Sequence, residues 1–199
     1  MSAIYYYVVT KYKPWLYLPD LGAYLGDEYT GAYDIGDEFN GKIITVADYL
    51  YDENRCIAFL LALLDNLNIS WLSVSLLHGD YAKPTDNYRL FEKWLMMAPV
   101  ELRNPIFNKL MIRLRKKSIV TFSDIPYVLQ MIFREFWWYR LENSSKNFKI
   151  DITGEFYIHL KLPMPEIELM KIAAKYGLYV NPRNYIDGYP INVDDYRIV

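Results

Sequence analysis

The sequence has a single cysteine, Cys56, and only two histidines, His78 and His159, in 199 residues. One cysteine excludes a disulfide framework within the chain and a cysteine metal cluster. The histidines belong to no HExxH or other tight cluster, so a zinc hydrolase has no support. There is no GxGxxG after a strand and no GxxxxGK[ST], which removes the usual phosphate cradles. There is no GxSxG elbow. Cys56 with His78 or His159 could form a nucleophile–base pair. Its mid-helix setting presents a thiolate poorly, however, and it reads as a small core residue. No apolar run approaches the roughly 20 residues that a membrane helix needs. The opening MSAIYYYVVTKYKPW lacks the basic start, apolar run and small-residue cleavage site of a signal peptide, so a cytoplasmic location is expected. Internal repeats and low-complexity tracts are missing too.

What the chain has in quantity is apolar and aromatic surface. Hydrophobic residues make up 53% and aromatics 17%, enough for a large core and too much for disorder. The 20 tyrosines suit a tyrosine-rich sheet, and equally an interface, because each buries a ring and keeps a hydroxyl. The length fits one domain over 1–199.

The clearest patterned stretch is 45–77. Thr45 is an N-cap with Asp48 in capping-box position. Val46, Tyr49, Leu50, Ile57, Leu60, Leu61, Leu64 and Leu67 recur at helical steps. Asp52, Glu53 and Arg55 fall on the opposite, solvent-facing side. A break at Asn68 to Ser70 leads into a strand from Trp71. Before this stretch, 3–13 reads as a strand and 19–41 as a glycine-rich loop with room for a short hairpin. After it come a polar loop at 78–86 and helices at 88–97 and 106–114. Asp124 and Pro126 start a further helix running to about Leu141. Residues 147–153 and 155–161 read as a hairpin. Pro165 starts a last helix that Gly177 closes, followed by a strand at 178–180. This order predicts an α+β fold, with a mixed or antiparallel sheet packed against several helices.

The net charge of −2 hides two opposed blocks. Residues 20–53 hold nine acids (Asp20, Asp27, Glu28, Asp34, Asp37, Glu38, Asp48, Asp52, Glu53) and one base, Lys42. Asp34, Asp37 and Glu38 could hold a hard cation, but the oxygen pattern of an EF-hand is missing, and a solvated acidic loop is the simpler reading. Residues 89–117 hold eight bases (Arg89, Lys93, Arg103, Lys109, Arg113, Arg115, Lys116, Lys117) and two acids. This is the nearest thing to a nucleic-acid footprint, although bases at a helix C-terminus also complement its dipole. It supports an alternative reading as a nucleic-acid-binding or regulatory protein. A third reading is an enzyme of unfamiliar type using dispersed carboxylates.

Three segments carry a family resemblance: ITVADYLYDENRCIAFLLALLDNLNISWLSV at 43–74, VLQMIFREFWWYRLENSSKNFKIDI at 128–152, and FYIHLKLP with a following helix and GLYVN within 156–181. Together they resemble immunity proteins of bacterial contact-dependent growth inhibition and related polymorphic toxin systems. The resemblance implies a non-enzymatic inhibitor with no cofactor and no metal. It would bind and occlude the C-terminal toxin domain of an effector, and many such toxins are nucleases, ribonucleases among them. No membrane, small-molecule or nucleic-acid partner is implied. No binding motif carries over, because each inhibitor matches its own toxin. The acidic block supplies the candidate partner surface: Asp27, Glu28, Asp34, Asp37, Glu38, Asp52 and Glu53. Carboxylates there would mimic phosphates and steer association.

Overall fold

A computed structural model describes residues 3–13, 17–18, 23–24, 29–76, 98–114, 118–136, 139–153, 156–181, 185–186 and 189–190. Its frame is a seven-stranded, wholly antiparallel sheet. The strands are β1 (Tyr5–Thr10), β6 (Trp71–Leu76), β7 (Ser118–Thr121), β8 (Tyr139–Asn143), β9 (Phe148–Thr153), β10 (Tyr157–Leu162) and β11 (Tyr179–Asn181). Their order across the sheet is β11-β1-β10-β9-β8-β6-β7. Four two-residue strands pair locally ahead of the first helix: β2 (Tyr17–Leu18) with β3 (Ala23–Tyr24), and β4 (Glu38–Phe39) with β5 (Lys42–Ile43). Two more, β12 (Tyr185–Ile186) and β13 (Tyr189–Pro190), pair near the end of the chain. The described helices are α1 (Val46–Asn66), α2 (Ile106–Arg113), α3 (Ile125–Phe133) and α4 (Glu166–Ala174). This is the α+β fold that the sequence predicts. None of the described helices is long and apolar enough to cross a membrane.

Strand register sorts the side chains cleanly onto two faces. Val74 pairs with Leu141, Leu141 with Ile150, Ile150 with Leu160, and Leu160 with Tyr7, so one apolar row crosses five strands. Leu72 with Val120, and Val9 with Ile158 on one side and Val180 on the other, extend that face to both edges. Because side chains alternate with period two, a slip of one residue would turn the whole row to the other side. Against this row lies α1, with Tyr49, Cys56, Phe59, Leu60, Leu63 and Leu64 buried, and α3 and α4 pack beside it. Cys56 is fully buried, and burial pushes its thiol up to about 12. It is a core thiol, and the sheet separates it from His159.

The start of α1 follows its sequence signal. Thr45 Oγ1 accepts from the Asp48 amide at 3.2 Å, and Asp48 Oδ2 accepts from the Thr45 amide at 3.0 Å. Its end does too: Asn68 takes a left-handed φ of 51°, and the Ile69 amide returns to the Leu64 carbonyl at 2.9 Å. The expected helix at 106–114, the 147–161 hairpin and the Gly177 cap (φ 65°) are all present.

The expected helix from 124 to about 141 is corrected. It stops at Phe133, where Glu135 turns left-handed (φ 55°) and the Phe136 amide returns to Met131 O at 2.9 Å. The chain then runs on as β8, whose burial alternates from residue to residue. Apolar density hid a change of period from 3.6 to 2. Strand β7, four residues long and at the sheet edge, is absent from the elements that the sequence predicts. The helix expected at 88–97 and the loop at 78–86 lie outside the described residues, as does His78.

The second face of the sheet carries a charge ladder. Arg140, Asp151 and His159 occupy paired positions on β8, β9 and β10. Arg140 grips Asp151 through two bonds of 2.8 and 3.1 Å, and Lys149 Nζ lies 3.3 Å from the same carboxylate. Burial holds the His159 imidazole down at about 4, against the opposing pull of Asp151. In an unfolded chain its value returns to about 6.5. Between those values the unfolded state binds the extra proton, so lowering the pH through about 6.5 to 4 removes stability. Urea midpoints of wild type and His159→Gln are expected to differ in pH response. Wild type should lose more stability between pH 7 and 4.5, and parallel losses would refute the assignment.

Candidate functional site

Residues 29–45 form an arm that leads into α1. Its first turn is built by Asp34, whose carboxylate accepts from the Thr30 amide at 2.6 Å, the Thr30 hydroxyl at 3.0 Å and the Gly31 amide at 3.0 Å. This is the local side-chain-to-backbone bonding that aspartate favours in turns. The arm then folds into the β4–β5 hairpin. Asn40 and Gly41 both have positive φ, 51° and 76°, which is the asparagine–glycine turn whose twist matches paired strands. Gly36 N–H to Ile44 O and Ile44 N–H to Asp37 O, both 2.9 Å, extend the pairing.

Hairpin register decides what the arm presents. Phe39 pairs with Lys42, and the Lys42 ammonium bonds to Asp48 on the first turn of α1. Lys42 and Thr45 together hold the Asp48 carboxyl well below the usual carboxylate range. Glu38 pairs with Ile43 on the other side of the hairpin. Glu38 and Asp37 are exposed, and among the described residues neither makes an ion pair. Ile43 is 60% exposed, Tyr33 on the arm 51%, and Tyr51 on the next turn of α1 70%.

The arm is held down at Tyr29. Lys11, just past the end of β1, sends its Nζ 2.6 Å from the Tyr29 carbonyl and 3.2 Å from Asp52 Oδ2. The Tyr29 hydroxyl donates to Asp52 and lies 2.9 Å from the Asp48 carbonyl. Arg55 completes the set, with Nη2 2.6 Å from Asp52 Oδ1 and Nη1 2.8 Å from Gly177 O. Burial first, and then Asp52, push the Tyr29 phenol far above its ordinary range.

One residue further along α1, Glu53 faces another way. It is fully buried and receives Arg134 through Nε at 2.6 Å and Nη2 at 2.5 Å. Arg134 also donates to the Leu102 carbonyl at 2.5 Å, and the Tyr49 hydroxyl reaches Glu53 at 3.3 Å.

The structure therefore divides the seven predicted acids. Asp37 and Glu38 stand exposed on the hairpin. Asp34 is a turn builder, and Asp27 and Glu28 lie outside the described residues. The expectation that Asp52 and Glu53 form an exposed partner-binding face is overturned: they are 6% and 0% exposed. A helical-wheel reading sends charge to solvent, but this side of α1 is covered by the arm and by the Leu102 and Arg134 region. A cation beside apolar residues, in each of two places, is the available signal. Lys11 follows the valine-rich β1, and Arg134 stands between Phe133 and Phe136.

Of the basic block, Arg103 donates twice to the Ala98 carbonyl (3.0 and 2.8 Å) and Arg113 pairs with Asp124. Lys109 is exposed, whereas Arg89, Lys93, Arg115, Lys116 and Lys117 lie outside the described residues. Among the described residues no group of three or more His, Cys, Asp or Glu is placed to hold a metal ion. No protein-family model matches the chain, and no curated protein or solved structure matches it.

Removing one member of a buried ion pair leaves the other charge without compensation, which costs about 3–5 kcal/mol, whereas replacing both with apolar groups is often near neutral. Arg134→Met is accordingly expected to lose about 3–5 kcal/mol in urea denaturation. Glu53→Met/Arg134→Met should recover most of that loss. A double variant as unstable as the single one would show that the pair is not the source.

Proposed function

We propose that the chain is an immunity protein of a contact-dependent growth inhibition or related polymorphic toxin system. It acts in the cytoplasm as a stoichiometric inhibitor, covering the active site of a nuclease toxin domain, with a ribonuclease as the favoured class. The observation that carries this reading is the β4–β5 hairpin, where Asp37 and Glu38 are exposed without internal ion pairs and Glu38 sits beside the exposed Ile43. A nuclease cleft is basic because it binds phosphates. A hairpin carrying carboxylates on a fixed backbone is complementary to such a cleft, and apolar neighbours supply the desolvated contacts that hold a complex together. The likeness of segments 43–74, 128–152 and 156–181 to immunity proteins supports the same class. Of the basic block behind the nucleic-acid alternative, Arg103 and Arg113 are engaged within the chain, at the Ala98 carbonyl and at Asp124.

The test is Asp37→Lys/Glu38→Lys against the cognate toxin domain, sought by co-expression of the chain with the neighbouring gene product and pull-down, and measured by calorimetry at two salt concentrations. The reversal should weaken binding by about tenfold or more and reduce its salt dependence. Asp34 is left intact because its carboxylate builds the arm. Unchanged affinity and salt response would sink the acidic-hairpin reading.

A further inference from the structure

The observations at Tyr29 lead beyond the identity of any partner. Lys11 is a buried cation, its side chain 2% exposed, at the end of a strand whose Val8, Val9 and Thr10 are 0–1% exposed. Its ammonium lies 3.3 Å from the Tyr29 ring centroid, 4.9 Å from that of Phe156 and 5.2 Å from that of Tyr12. Phe156 reaches this place from a left-handed backbone (φ 58°), which is costly for an aromatic residue. There it meets the rings of Tyr29, Tyr49 and Phe133 at 6.2, 5.6 and 5.8 Å. The Tyr12 hydroxyl adds a second donor to the Tyr29 carbonyl at 3.4 Å. One residue of the arm is thus gripped by its carbonyl, its ring and its hydroxyl.

We propose that Lys11 is the positioning residue of the hairpin arm, a latch that fixes the arm's exposed surface from a buried site at the end of β1. Three comparisons support this. The other ionic tie of the arm, Lys42 to Asp48, is exposed on the lysine side (63%) and contributes little. A two-stranded hairpin of this length has marginal stability alone, so the arm takes its order from docking. Asp52 does not depend on Lys11 for neutralisation, since Arg55 holds its other oxygen at 2.6 Å. What Lys11 alone supplies is a cation placed on Tyr29. The latch holds for any partner of the arm, and it stands apart from the toxin reading.

The experiment is residue-resolved amide exchange on the full chain, comparing wild type, Lys11→Met and Lys11→Met/Asp52→Asn. Methionine keeps the length and removes the charge. In Lys11→Met the amides of Gly31, Gly36, Asp37 and Ile44 should exchange about tenfold or more faster, while those of Ile150 and Leu160 in the sheet change less than about twofold. The double variant should keep the arm fast, because the cation on Tyr29 is still missing. Unchanged arm amides would overturn the proposal. So would arm and sheet rising together, which makes Lys11 a general core residue, or arm protection restored in the double variant, which reduces Lys11 to a counter-ion. If Lys11→Met does not fold, the double variant alone is read on the same amides and by the same criteria.

Discussion

Among the described residues, two adjacent carboxylates on α1 hold the end of β1, the arm and the end of α3 in place. Successive residues of a helix point about 100° apart. Asp52 therefore looks towards β1 and the arm, while Glu53 looks towards α3. Each finds a buried cation from a distant part of the chain, Lys11 in one case and Arg134 in the other. The end of β1, the arm and the end of α3 are thereby joined to one turn of helix. The gain is geometric more than energetic. Withdrawing charges from water costs several kcal/mol per ion, and the attraction recovers this only when direction and hydrogen bonding are right. The bidentate Arg134–Glu53 contact and the shared Asp52 carboxylate meet that condition in one placement of the elements. An apolar core of equal volume would tolerate several.

The parts of the fold legible in the sequence are those governed by local rules. Thr45 and Asp48 cap a helix because the free amides are one turn away. Gly177 ends one because its left-handed backbone has little cost without a side chain. The β9–β10 hairpin shows its alternation openly. The illegible parts depend on partners remote in sequence. Tyr139-Arg140-Leu141-Glu142-Asn143 alternates like a strand, yet it follows so closely on the apolar α3 that one long helix was the simpler fit. Asp52 and Glu53 are buried among groups remote in sequence, Lys11 41 positions away and Arg134 81 positions away. Neither pairing leaves a trace in local periodicity. Within the site, the exposed hairpin acids were legible, and the buried pairs beneath them were not.

That asymmetry changes what an acidic block means. Nine carboxylates between 20 and 53 suggest a broad negative surface. In the described part of the block, Asp34 is bonded to its own turn, Asp48 caps α1, and Asp52 and Glu53 are internal. Only Asp37 and Glu38 are exposed and without an ion pair there. Four of the six described acids of the block are thus structural, and a count of acids overstates what this described part presents outside.

A small, fixed charge pair is nevertheless better suited to selective binding than a diffuse one. Diffuse charge attracts every basic surface, and salt at physiological strength screens it within about 8 Å. Two carboxylates on a rigid hairpin discriminate by position, because a misplaced cation on the partner leaves them desolvated and unpaired. Rigidity also lowers the entropic cost of association, which reaches about 0.5–1.5 kcal/mol for each long side chain that must be ordered. The Asn40–Gly41 turn, the Asp34 turn and the Lys11 contact all impose order on the arm from within the chain. Ile43, beside Glu38, then offers apolar area that water covers poorly. The arm therefore sets local charge beside exposed apolar surface, on a backbone tied down by the buried ions beneath it.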